Sequence, residues 1–314
     1  MNATKIFAEQ LSAPEGPVVG PNGWILNVCS FDPKDPTWPR KGGDITATHI
    51  SKPLKTHTVF NTSTDEIVGI PAALAFGPDG CLYVTDEGVL AIIRVTPEGE
   101  QSEFISHYQG KRINGPNDLT FDQDGNLFFT DPWGSSLENP IGAVYGYDWS
   151  SGALHQIHTG LAFPNGIIVR DDLLLAAETR TNKIWVYDIV GPGTAENPRE
   201  FCTLPDVEPD ESGWTGPDGM KFDIEGNVYI AALGKGAGVY VYDPSGEIIN
   251  TIPTGGTRTT NLCFGGPEFD KLFVTVDDIG AMVTIPNEIP GFRLPFCPSS
   301  WESHPWSKMF SDYE

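Results

Sequence analysis

Basic residues, membrane-length apolar segments and helical patterns are scarce or absent in this sequence. Its 314 residues include 19 lysines and arginines against 42 aspartates and glutamates, so the formal net charge is −23. A surface of this sign repels nucleic acids and anionic membranes, and we expect neither as a partner. No apolar run approaches the ~20 residues that a membrane-spanning helix needs, and there is no clear amphipathic helix pattern.

The cysteines give no sign of a disulfide framework or a thiolate metal site. They are odd in number, no two have the CxxC spacing, and several lie within apolar runs: Cys29, Cys81, Cys202, Cys263 and Cys297. Such a set indicates buried free thiols in a reducing compartment. The segment Met1–Phe7 lacks the apolar core of a signal peptide, so we expect a cytoplasmic protein whose sequons at Asn2 and Asn61 carry no glycan.

Glycine and proline, by contrast, are abundant. The 35 glycines and 27 prolines are spread along the whole chain, which indicates many short strands joined by tight turns. A repeat orders these strands: a short apolar strand, a turn that ends in glycine, and a second apolar strand that ends near Thr-Asp. Three clear and three weaker copies begin near residues 17, 74, 119, 167, 220 and 262.

A second hairpin follows within the units, marked by patterns such as Trp185–Asp188 before Gly191 and Tyr240–Asp243 before Gly246. Two hairpins make a four-stranded sheet, and six such sheets of about 50 residues each are typical of a β-propeller. A two-sheet sandwich would not need so long a period. The sequence therefore predicts an all-β, six-bladed β-propeller with four-stranded antiparallel blades around a central channel, as a single domain over residues 1–314.

The phase of the repeat singles out one position in each unit. This position is four residues before the apolar residue that closes the first strand of the unit. In chain order it is occupied by Glu15, Ala72, Asn117, Asn165, Asp218 and Thr260. If the first strand of every unit is innermost, these positions are equivalent and meet at one mouth of the channel. Position within the repeat also distinguishes two identical Gly-Pro-Asp-Gly tetrapeptides. It places Gly77–Gly80 in a hairpin turn and Gly216–Gly219 at the channel mouth.

Four of these six residues offer oxygen ligands: Glu15, Asn117, Asn165 and Asp218. Two carboxylates and two amides, without histidine or thiolate, suit Ca²⁺, Mg²⁺ or Mn²⁺ better than Zn²⁺ or copper. Their two formal charges would neutralise one divalent ion, and without it Glu15 and Asp218 would repel each other in a partly desolvated channel. The alternative is that the Asn-Gly and Asp-Gly pairs are only turn formers.

These residues carry a resemblance to a known family. The motifs Ala13–Pro17, Arg112–Asp118, Phe163–Gly166 and Pro217–Met220, in this order over nearly the whole chain, are similar to those of the senescence-marker-protein/gluconolactonase family, which includes regucalcin. The resemblance implies a six-bladed propeller hydrolase with one catalytic divalent cation, often Ca²⁺ and sometimes Zn²⁺ or Mn²⁺.

The resemblance also implies roles for individual residues. The metal ligands would be Glu15, Asn165 and Asp218. Asn117 would be a fourth ligand or a substrate contact, and Asp218 is also the candidate general base. A polar contact to a sugar substrate would map near Arg112 or Asn114. In the more distantly similar diisopropyl fluorophosphatase, an aspartate of a second calcium site stands where this chain has Lys221, which speaks against a second ion and favours the lactonase branch.

The expected reaction is hydrolysis of a small lactone, such as a sugar lactone. The cation would polarise the carbonyl group, while Asp218 or water on the metal takes part in the proton transfer. Two segments depart from the strand pattern: 31–44, with Trp38 and Arg40, and 132–136, with Trp133. Each of these segments either contacts the substrate or is a plain surface loop. No protein partner is evident.

Other functions stay open at this point. A Ser-His-Asp hydrolase is disfavoured, because no G-x-S-x-G motif occurs and none of the six histidines occupies the repeat position of the candidate ligands. Two alternatives remain. One is a phosphotriesterase-like or other metal-dependent propeller enzyme acting on a non-sugar ester or natural-product lactone. The other is a non-catalytic calcium-binding propeller.

Overall fold

The computed structural model describes residues 4–31, 42–297, 304–311 and 313. Within them the chain forms six four-stranded antiparallel sheets and one separate hairpin, which confirms the predicted six-bladed β-propeller. The predicted 31–44 loop is shorter than expected, because strands extend to Phe31 on one side and from Gly42 on the other. Trp38 and Arg40 lie outside the described residues.

The first three blades follow the repeat units in order. The N-terminal strand is β1 (Lys5–Glu9). Blade 1 consists of β2 (Pro14–Val19), β3 (Trp24–Phe31), β4 (Gly42–His49) and β5 (Thr56–Asn61). Blade 2 consists of β6 (Pro71–Phe76), β7 (Leu82–Asp86), β8 (Ala91–Val95) and β9 (Gln101–Ile105). The hairpin of β10 (His107–Tyr108) and β11 (Lys111–Arg112) precedes blade 3, which consists of β12 (Leu119–Phe121), β13 (Leu127–Asp131), β14 (Gly142–Tyr147) and β15 (Leu154–Leu161).

The other three blades complete the circle. Blade 4 consists of β16 (Pro164–Arg170), β17 (Leu173–Glu178), β18 (Lys183–Gly191) and β19 (Thr194–Thr203). Blade 5 consists of β20 (Gly216–Phe222), β21 (Val228–Leu233), β22 (Val239–Tyr242) and β23 (Ile248–Ile252). Blade 6 consists of β24 (Thr259–Gly265), β25 (Lys271–Val276), β26 (Ala281–Pro286) and β1. Short 3₁₀ turns lie at Pro21–Gly23 and Thr179–Thr181, and α1 (Ser307–Ser311) lies near the C-terminus.

The N-terminal strand closes the ring. β1 pairs antiparallel with β26, with Lys5 opposite Thr284, so the last blade takes its outermost strand from the other end of the chain. The repeat gave no sign of this strand. The innermost strands contact one another all the way round, from β2 through β6, β12, β16, β20 and β24 back to β2. The first strand of each unit therefore lies on the axis, as predicted.

The C-terminal segment packs on blades 1 and 2, at the end where their first two strands turn. Nε1 of Trp306 donates to the carbonyl oxygen of Gly80 over 2.8 Å, and the ring of Phe310 lies 5.4 Å from that of Trp24. Trp306 and Phe310 are fully buried. Burial of each side chain contributes on the order of 1.5–3 kcal/mol. The described part of the tail is thus a portion of the core.

Two smaller predictions, on the cysteines and on one glycine turn, are also confirmed. All five cysteines are free, and only Cys297 is partly exposed. The tetrapeptide Gly77–Gly80 forms the turn between β6 and β7, and Gly80 has the positive φ of 76° that favours glycine. None of the helices in the described residues is long and apolar enough to cross a membrane.

Candidate metal centre

The predicted ligands occupy equivalent places on the innermost strands. Glu15 and Asn165 are each the second residue of their strand, in β2 and β16, and Asp218 is the third residue of β20. Asn117 lies two residues before β12, at the same end of blade 3. The two remaining equivalent positions are Ala72 in β6 and Thr260 in β24. The predicted phase therefore matches the strand positions, and four oxygen-bearing side chains start from one end of the axis.

Breaks in strand pairing redirect three of these side chains. The register with the neighbouring strand shifts between residues 15 and 18 in β2, 164 and 167 in β16, and 217 and 220 in β20. A β-bulge bends the strand and re-aims a side chain, and bulges are common next to active sites. The Asn165-Gly166 and Asp218-Gly219 pairs thus belong to bulged strands, which contradicts the alternative that they are simple hairpin turns.

The glycine that follows a predicted ligand is required, because the next inner strand lies against it. A Cβ atom on Gly166 would lie 2.2 Å from the carbonyl oxygen of Asp218. A Cβ atom on Gly219 would lie 2.0 Å from Cγ of Asn261. Carbon atoms in contact are normally about 3.5–4.0 Å apart, so no larger residue fits without displacing its neighbour. The backbone beside Asn165 therefore contacts the backbone of Asp218 directly.

Hydrogen bonds fix the orientation of the two amides. Nδ2 of Asn117 donates to Oε1 of Glu87 over 2.9 Å, and Nδ2 of Asn165 donates to Oγ1 of Thr179 over 3.1 Å. Within the described part of the chain, no protein group donates to Oδ1 of either amide. Since the nitrogen atoms are engaged, the two amide oxygens are available to a ligand.

The two predicted carboxyl ligands lie close enough to interact. Asp218 is buried and Glu15 is partly exposed. Burial raises the pKa of Glu15 well above its usual range, and repulsion by the Asp218 carboxylate raises it further. Burial also raises the pKa of Asp218, with repulsion by Asp118 as the next cause. A bound cation would favour the charged forms that burial and repulsion disfavour.

Two further carboxyl groups, to which the sequence reasoning gave no role, lie beside this pair. Burial raises the pKa of Glu87 to about 8, although the hydrogen bond from Asn117 lowers it. Asp118 is buried, and its Oδ2 accepts from the backbone N–H of Ile167 over 3.1 Å, which ties blade 3 to blade 4. Asp118 is part of a motif already recognised in the sequence, whereas no repeat position marks Glu87.

Two cationic side chains offset part of the negative charge. Burial raises the pKa of Asp118, and the nearby Lys221 ammonium opposes that rise. Burial and repulsion by Asp118 raise the pKa of Asp218, whereas the Arg258 guanidinium lowers it. Arg258 is itself held in ion pairs with Asp210 and Asp277. Because Arg258 precedes β24, outside the repeated pattern, the sequence gave no signal for its position.

Hydroxyl groups from neighbouring blades hold the backbone of the site. Among the described residues, five Ser or Thr hydroxyls donate to a carbonyl oxygen at or next to the site position of the following blade, over 2.5–2.9 Å. The donor and acceptor pairs are Ser30–Pro71, Thr85–Asn117, Thr130–Asn165, Thr179–Pro217 and Thr260–Pro14. Two of the donors, Thr85 and Thr130, belong to the recurring Thr-Asp strand ends, which gives that dipeptide a structural role.

The predicted substrate contacts have different surroundings. Arg112 is exposed, and its Nη2 donates to Glu103 and to the carbonyl oxygen of Val89, each over 2.8 Å. Asn114 is partly exposed, and its backbone N–H donates to Asp131 over 3.0 Å. Trp133 is 45% exposed and packs against Gly115. Their roles as substrate contacts, like that of Asn117, stay predictions.

An aromatic wall that the sequence reasoning missed lies just before the inner strands of blades 4 and 5, in the chain segments that lead into them. The ring of Phe163, two residues before Asn165, lies 4.9 Å from the ring of Trp214. The Arg180 guanidinium lies 3.6 Å from the centre of the Trp214 ring, which is a cation–π contact. The three side chains come from three separate loops, so no local motif marks the wall.

The chemistry of the donor set fits a hard divalent cation. In the part of the chain that the structure describes, no group of three or more His, Cys, Asp or Glu side chains is placed to hold a metal. An ion held by Glu15 and Asp218 would therefore also need the amide oxygens of Asn117 and Asn165. Mixed carboxylate and amide oxygen ligands are typical of Ca²⁺ sites.

Comparison with known proteins gives the family. Residues 41–277 match the family model described as SMP-30/Gluconolactonase/LRE-like region. The chain is 35% identical to the gluconolactonase of Zymomonas mobilis over 203 residues, which are 60% of this chain and 56% of that enzyme. It is 30% identical to the diisopropyl-fluorophosphatase of Loligo vulgaris over 295 residues, which are 89% of this chain and 90% of that enzyme. The chain thus spans just over half the length of the first relative and most of the second.

The fold agrees with that of a solved relative. Regucalcin from Agrobacterium tumefaciens, a calcium-binding protein, superposes with a TM-score of 0.72 at 20% identity, over 95% of this chain and 98% of that one. At this identity the likeness concerns the fold. Because the family model covers more than half of the chain, the protein belongs to the SMP-30/gluconolactonase/LRE-like family.

Proposed function

We propose that the protein is a divalent-metal-dependent hydrolase that opens a small lactone, with Ca²⁺ as the expected ion. The observation that carries this proposal is the donor set: two interacting carboxyl groups, and two amides whose nitrogen atoms are engaged elsewhere. Membership of the family, and similarity to relatives named gluconolactonase and lactonase, support the substrate class.

The residues that would hold the ion are Glu15, Asn117, Asn165 and Asp218. When bound, a divalent cation supplies Lewis acidity, which polarises a carbonyl group and stabilises negative charge on its oxygen. The Asp218 carboxylate would accept a proton from the attacking water, as a general base positioned beside the nucleophile. Glu87 and Thr179 would keep the amides in fixed orientations, so that they do not reorganise during the reaction.

An acidic groove at the same end of blades 5, 6 and 1, which none of the four proposed ligands lines, suits a small neutral substrate. This groove of about 940 Å³ opens next to Arg258 and is lined by carboxylates that include Asp210 and Asp277. In the wall of Phe163, Trp214 and Arg180, the two aromatic residues lie just before the inner strands that carry Asn165 and Asp218. Excess negative charge in the groove would disfavour anionic substrates. We propose that the substrate contacts are Arg112, Asn114, Asn117 and Trp133.

A substrate panel with and without chelator tests the function. The protein is assayed with an aldonolactone, an aromatic lactone and a phosphotriester, with release of acid followed by a pH indicator. We expect lactone opening that EDTA abolishes and added Ca²⁺ restores. Full activity in a preparation that elemental analysis shows to be free of metal would contradict the metal dependence. Binding of Ca²⁺ without turnover of any substrate would favour the non-catalytic calcium-binding propeller.

Hydrolysis of a phosphotriester is the second candidate. It is favoured by the identity of 30% to a diisopropyl-fluorophosphatase over 89% of this chain. The same four oxygen ligands and the same proton acceptor could serve attack on phosphorus. Turnover of the phosphotriester at a kcat/KM above that of both lactones would support this candidate over the first.

A further inference from the structure

The connection between β13 and β14, residues 132–141, presents apolar side chains at the ligand end of blade 3. Strand β13 runs toward this end, because the backbone N–H of Asn117 donates to the carbonyl oxygen of Thr130 over 2.9 Å. A Cβ atom on Gly134 would lie 3.8 Å from Cδ1 of Ile141, so that side chain lies beside the residue that follows Trp133. Twelve large apolar side chains are exposed among the described residues, and three of them belong to this connection: Trp133, Leu137 and Ile141. Scattered exposed apolar side chains are normal, whereas a cluster indicates a binding surface.

Trp133 joins this connection to the proposed ligands. A Cβ atom on Gly115 would lie 2.8 Å from Cβ of Trp133 and 3.5 Å from Cα of Glu87, so the base of the Trp133 side chain packs against Gly115 next to Glu87. Glu87 is the residue whose Oε1 accepts from Nδ2 of Asn117 over 2.9 Å. A continuous chain of contacts therefore leads from the exposed Trp133 side chain to the Asn117 amide.

Hydrogen bonds hold the connection in a fixed shape. Oγ of the buried Ser135 donates to the carbonyl oxygen of Leu161 over 2.6 Å and accepts from the backbone N–H of Phe163 over 3.2 Å. These bonds tie the connection to the segment that leads into β16 and Asn165. A further turn closes where the backbone N–H of residue 136 donates to the carbonyl oxygen of residue 139 over 3.1 Å. A surface that is already ordered loses little conformational entropy when a ligand binds to it.

The polar side chains at this place are engaged with one another. Oγ of Ser136 donates to Oε2 of Glu138 over 3.0 Å. Asp131, at the end of β13, accepts two backbone N–H groups from residues 114 and 115 over 3.0 and 2.6 Å. The hydroxyl groups of a sugar need hydrogen-bond partners, and these engaged side chains are poor ones. The apolar side chains, by contrast, are free to be covered.

We propose that residues 132–141 form an apolar platform, centred on Trp133 and Ile141, which binds an apolar substituent of the lactone. The enzyme then prefers lactones with an alkyl or aryl substituent over polyhydroxylated sugar lactones. The proposal rests on the lactone-opening function proposed above. Because the substituent does not react, its contacts stabilise the bound substrate and the transition state alike, so the preference is expressed mainly in KM.

A series of lactones with one reacting ring tests the platform. γ-Butyrolactone, γ-hexalactone and γ-nonalactone differ only in the length of an alkyl substituent, and an aldonolactone of the same ring size is the polar comparison. For the wild type in Ca²⁺, we expect kcat/KM to rise at least about tenfold along the series and to exceed that of the aldonolactone. Trp133→Ser should lower the ratio of kcat/KM for γ-nonalactone to that for γ-butyrolactone about tenfold, and Ile141→Ser should lower it less.

Ile224→Ser is the matched control. Ile224 is 52% exposed, compared with 43% for Ile141, but it lies in the turn after β20, at the end of the axis opposite to Asp218, and its loss should not change the ratio. A faster reaction with the aldonolactone, and an unchanged ratio in both Trp133→Ser and Ile141→Ser, would overturn the platform and leave lactone opening intact. A dimer that sedimentation shows to dissociate in Trp133→Ser would also overturn it, because a second copy would cover the surface. A wild type that opens no lactone would overturn both proposals.

Discussion

The side-chain nitrogen of Asn165 lies 3.1 Å from the hydroxyl oxygen of Thr179, and that hydroxyl donates to the carbonyl oxygen of Pro217 over 2.7 Å. One side chain of blade 4 therefore orients a proposed ligand and also fixes the strand of blade 5 that carries Asp218. The site depends on such bonds between blades, because its residues are far apart along the chain.

Thr179→Val tests this link. Valine keeps the shape of the side chain but leaves Nδ2 of Asn165 and the carbonyl oxygen of Pro217 without their partner. We expect the free energy of unfolding to fall by about 1–3 kcal/mol, since both groups are buried or nearly so. We also expect weaker Ca²⁺ binding, because the Asn165 amide is no longer held. Urea unfolding and calorimetric titration measure the two effects.

Ser30→Ala is the matched control. Ser30 donates to the carbonyl oxygen of Pro71 over 2.6 Å, which is the same bond between blades, but the adjacent site position is Ala72 and offers no ligand. This variant should lose stability and keep its Ca²⁺ affinity. Equal Ca²⁺ affinity in the wild type, Thr179→Val and Ser30→Ala would show that the hydroxyl has no role in metal binding.

Asp218→Asn is expected to remove turnover while the fold is retained. The change deletes the proposed proton acceptor, whose removal typically costs about 10²–10⁴-fold in rate, and one of two anionic ligands. It also deletes a buried charge that is repelled by Asp118, so the metal-free protein should not be destabilised. Lactone turnover with Ca²⁺, compared with thermal unfolding in EDTA, separates the two effects.

Asp79→Asn provides an internal control, because Asp79 stands in the same Gly-Pro-Asp-Gly tetrapeptide. Asp79 lies in the turn after β6 and pairs with Nε of Arg94 at 2.7 Å, on a partly exposed surface. Its loss should cost less than about 1 kcal/mol and leave turnover unchanged. Near-normal turnover in Asp218→Asn would remove Asp218 from the mechanism.

The contrast between Asp79 and Asp218 shows what the sequence could predict. The sequence repeat predicts the strand or turn on which each residue lies and its place there. The assignments of Asp79 to a turn and of Asp218 to the channel mouth came from their positions within the repeat alone. The same reasoning gave six blades and the equivalence of Glu15 with Asn165. Periodic sequence features translate directly into equivalent positions around an axis, because each blade is built in the same way.

Features that join different parts of the chain could not be predicted. Strand β1 pairs with β26 at the other end of the sequence, and nothing in its composition marks that partner. Glu87 and Thr179 orient the amides from positions outside the repeat phase. The partners of Arg112 show the same limit: its motif gave no sign that its guanidinium bonds to Glu103 and to the carbonyl oxygen of Val89, because this pairing depends on side-chain direction.

Gly166→Ala is expected to disturb the site through the backbone. The added Cβ atom would lie 2.2 Å from the carbonyl oxygen of Asp218, so the two inner strands must move apart. Overpacking of this kind typically costs about 1–3 kcal/mol, and the shift of Asp218 should lower lactone turnover. Urea unfolding and steady-state kinetics measure the two effects.

Gly191→Ala controls for the change from glycine to alanine. Gly191 ends β18, has no positive φ, and an added Cβ atom would approach only Oγ1 of Thr194, at 3.2 Å. We expect little change in stability and none in turnover. If Gly166→Ala behaved like Gly191→Ala, the close approach of the strands would not be needed for the site.

The stability of the metal-free protein should fall as pH rises. Burial raises the pKa of Glu15 and of Asp218, and raises that of Glu87 to about 8. Since these values exceed those of the unfolded chain, near 4, the folded protein binds protons more tightly. This contribution is complete below about pH 4 and is lost as pH rises through the folded pKa values. In EDTA, the melting temperature should therefore decline between about pH 5 and 8 through these groups.

Ca²⁺ should remove much of that decline, because a bound cation stabilises the ionised carboxylates. The gain in melting temperature on adding Ca²⁺ is thus expected to grow from pH 5 to pH 8, and parallel scans in EDTA and in Ca²⁺ measure it. The Glu15→Gln/Asp218→Asn variant, which lacks both titrating groups, should show a flatter profile in EDTA. A gain that is constant across this range would contradict the placement of Ca²⁺ between Glu15 and Asp218, because an ion bound elsewhere would not depend on their ionisation.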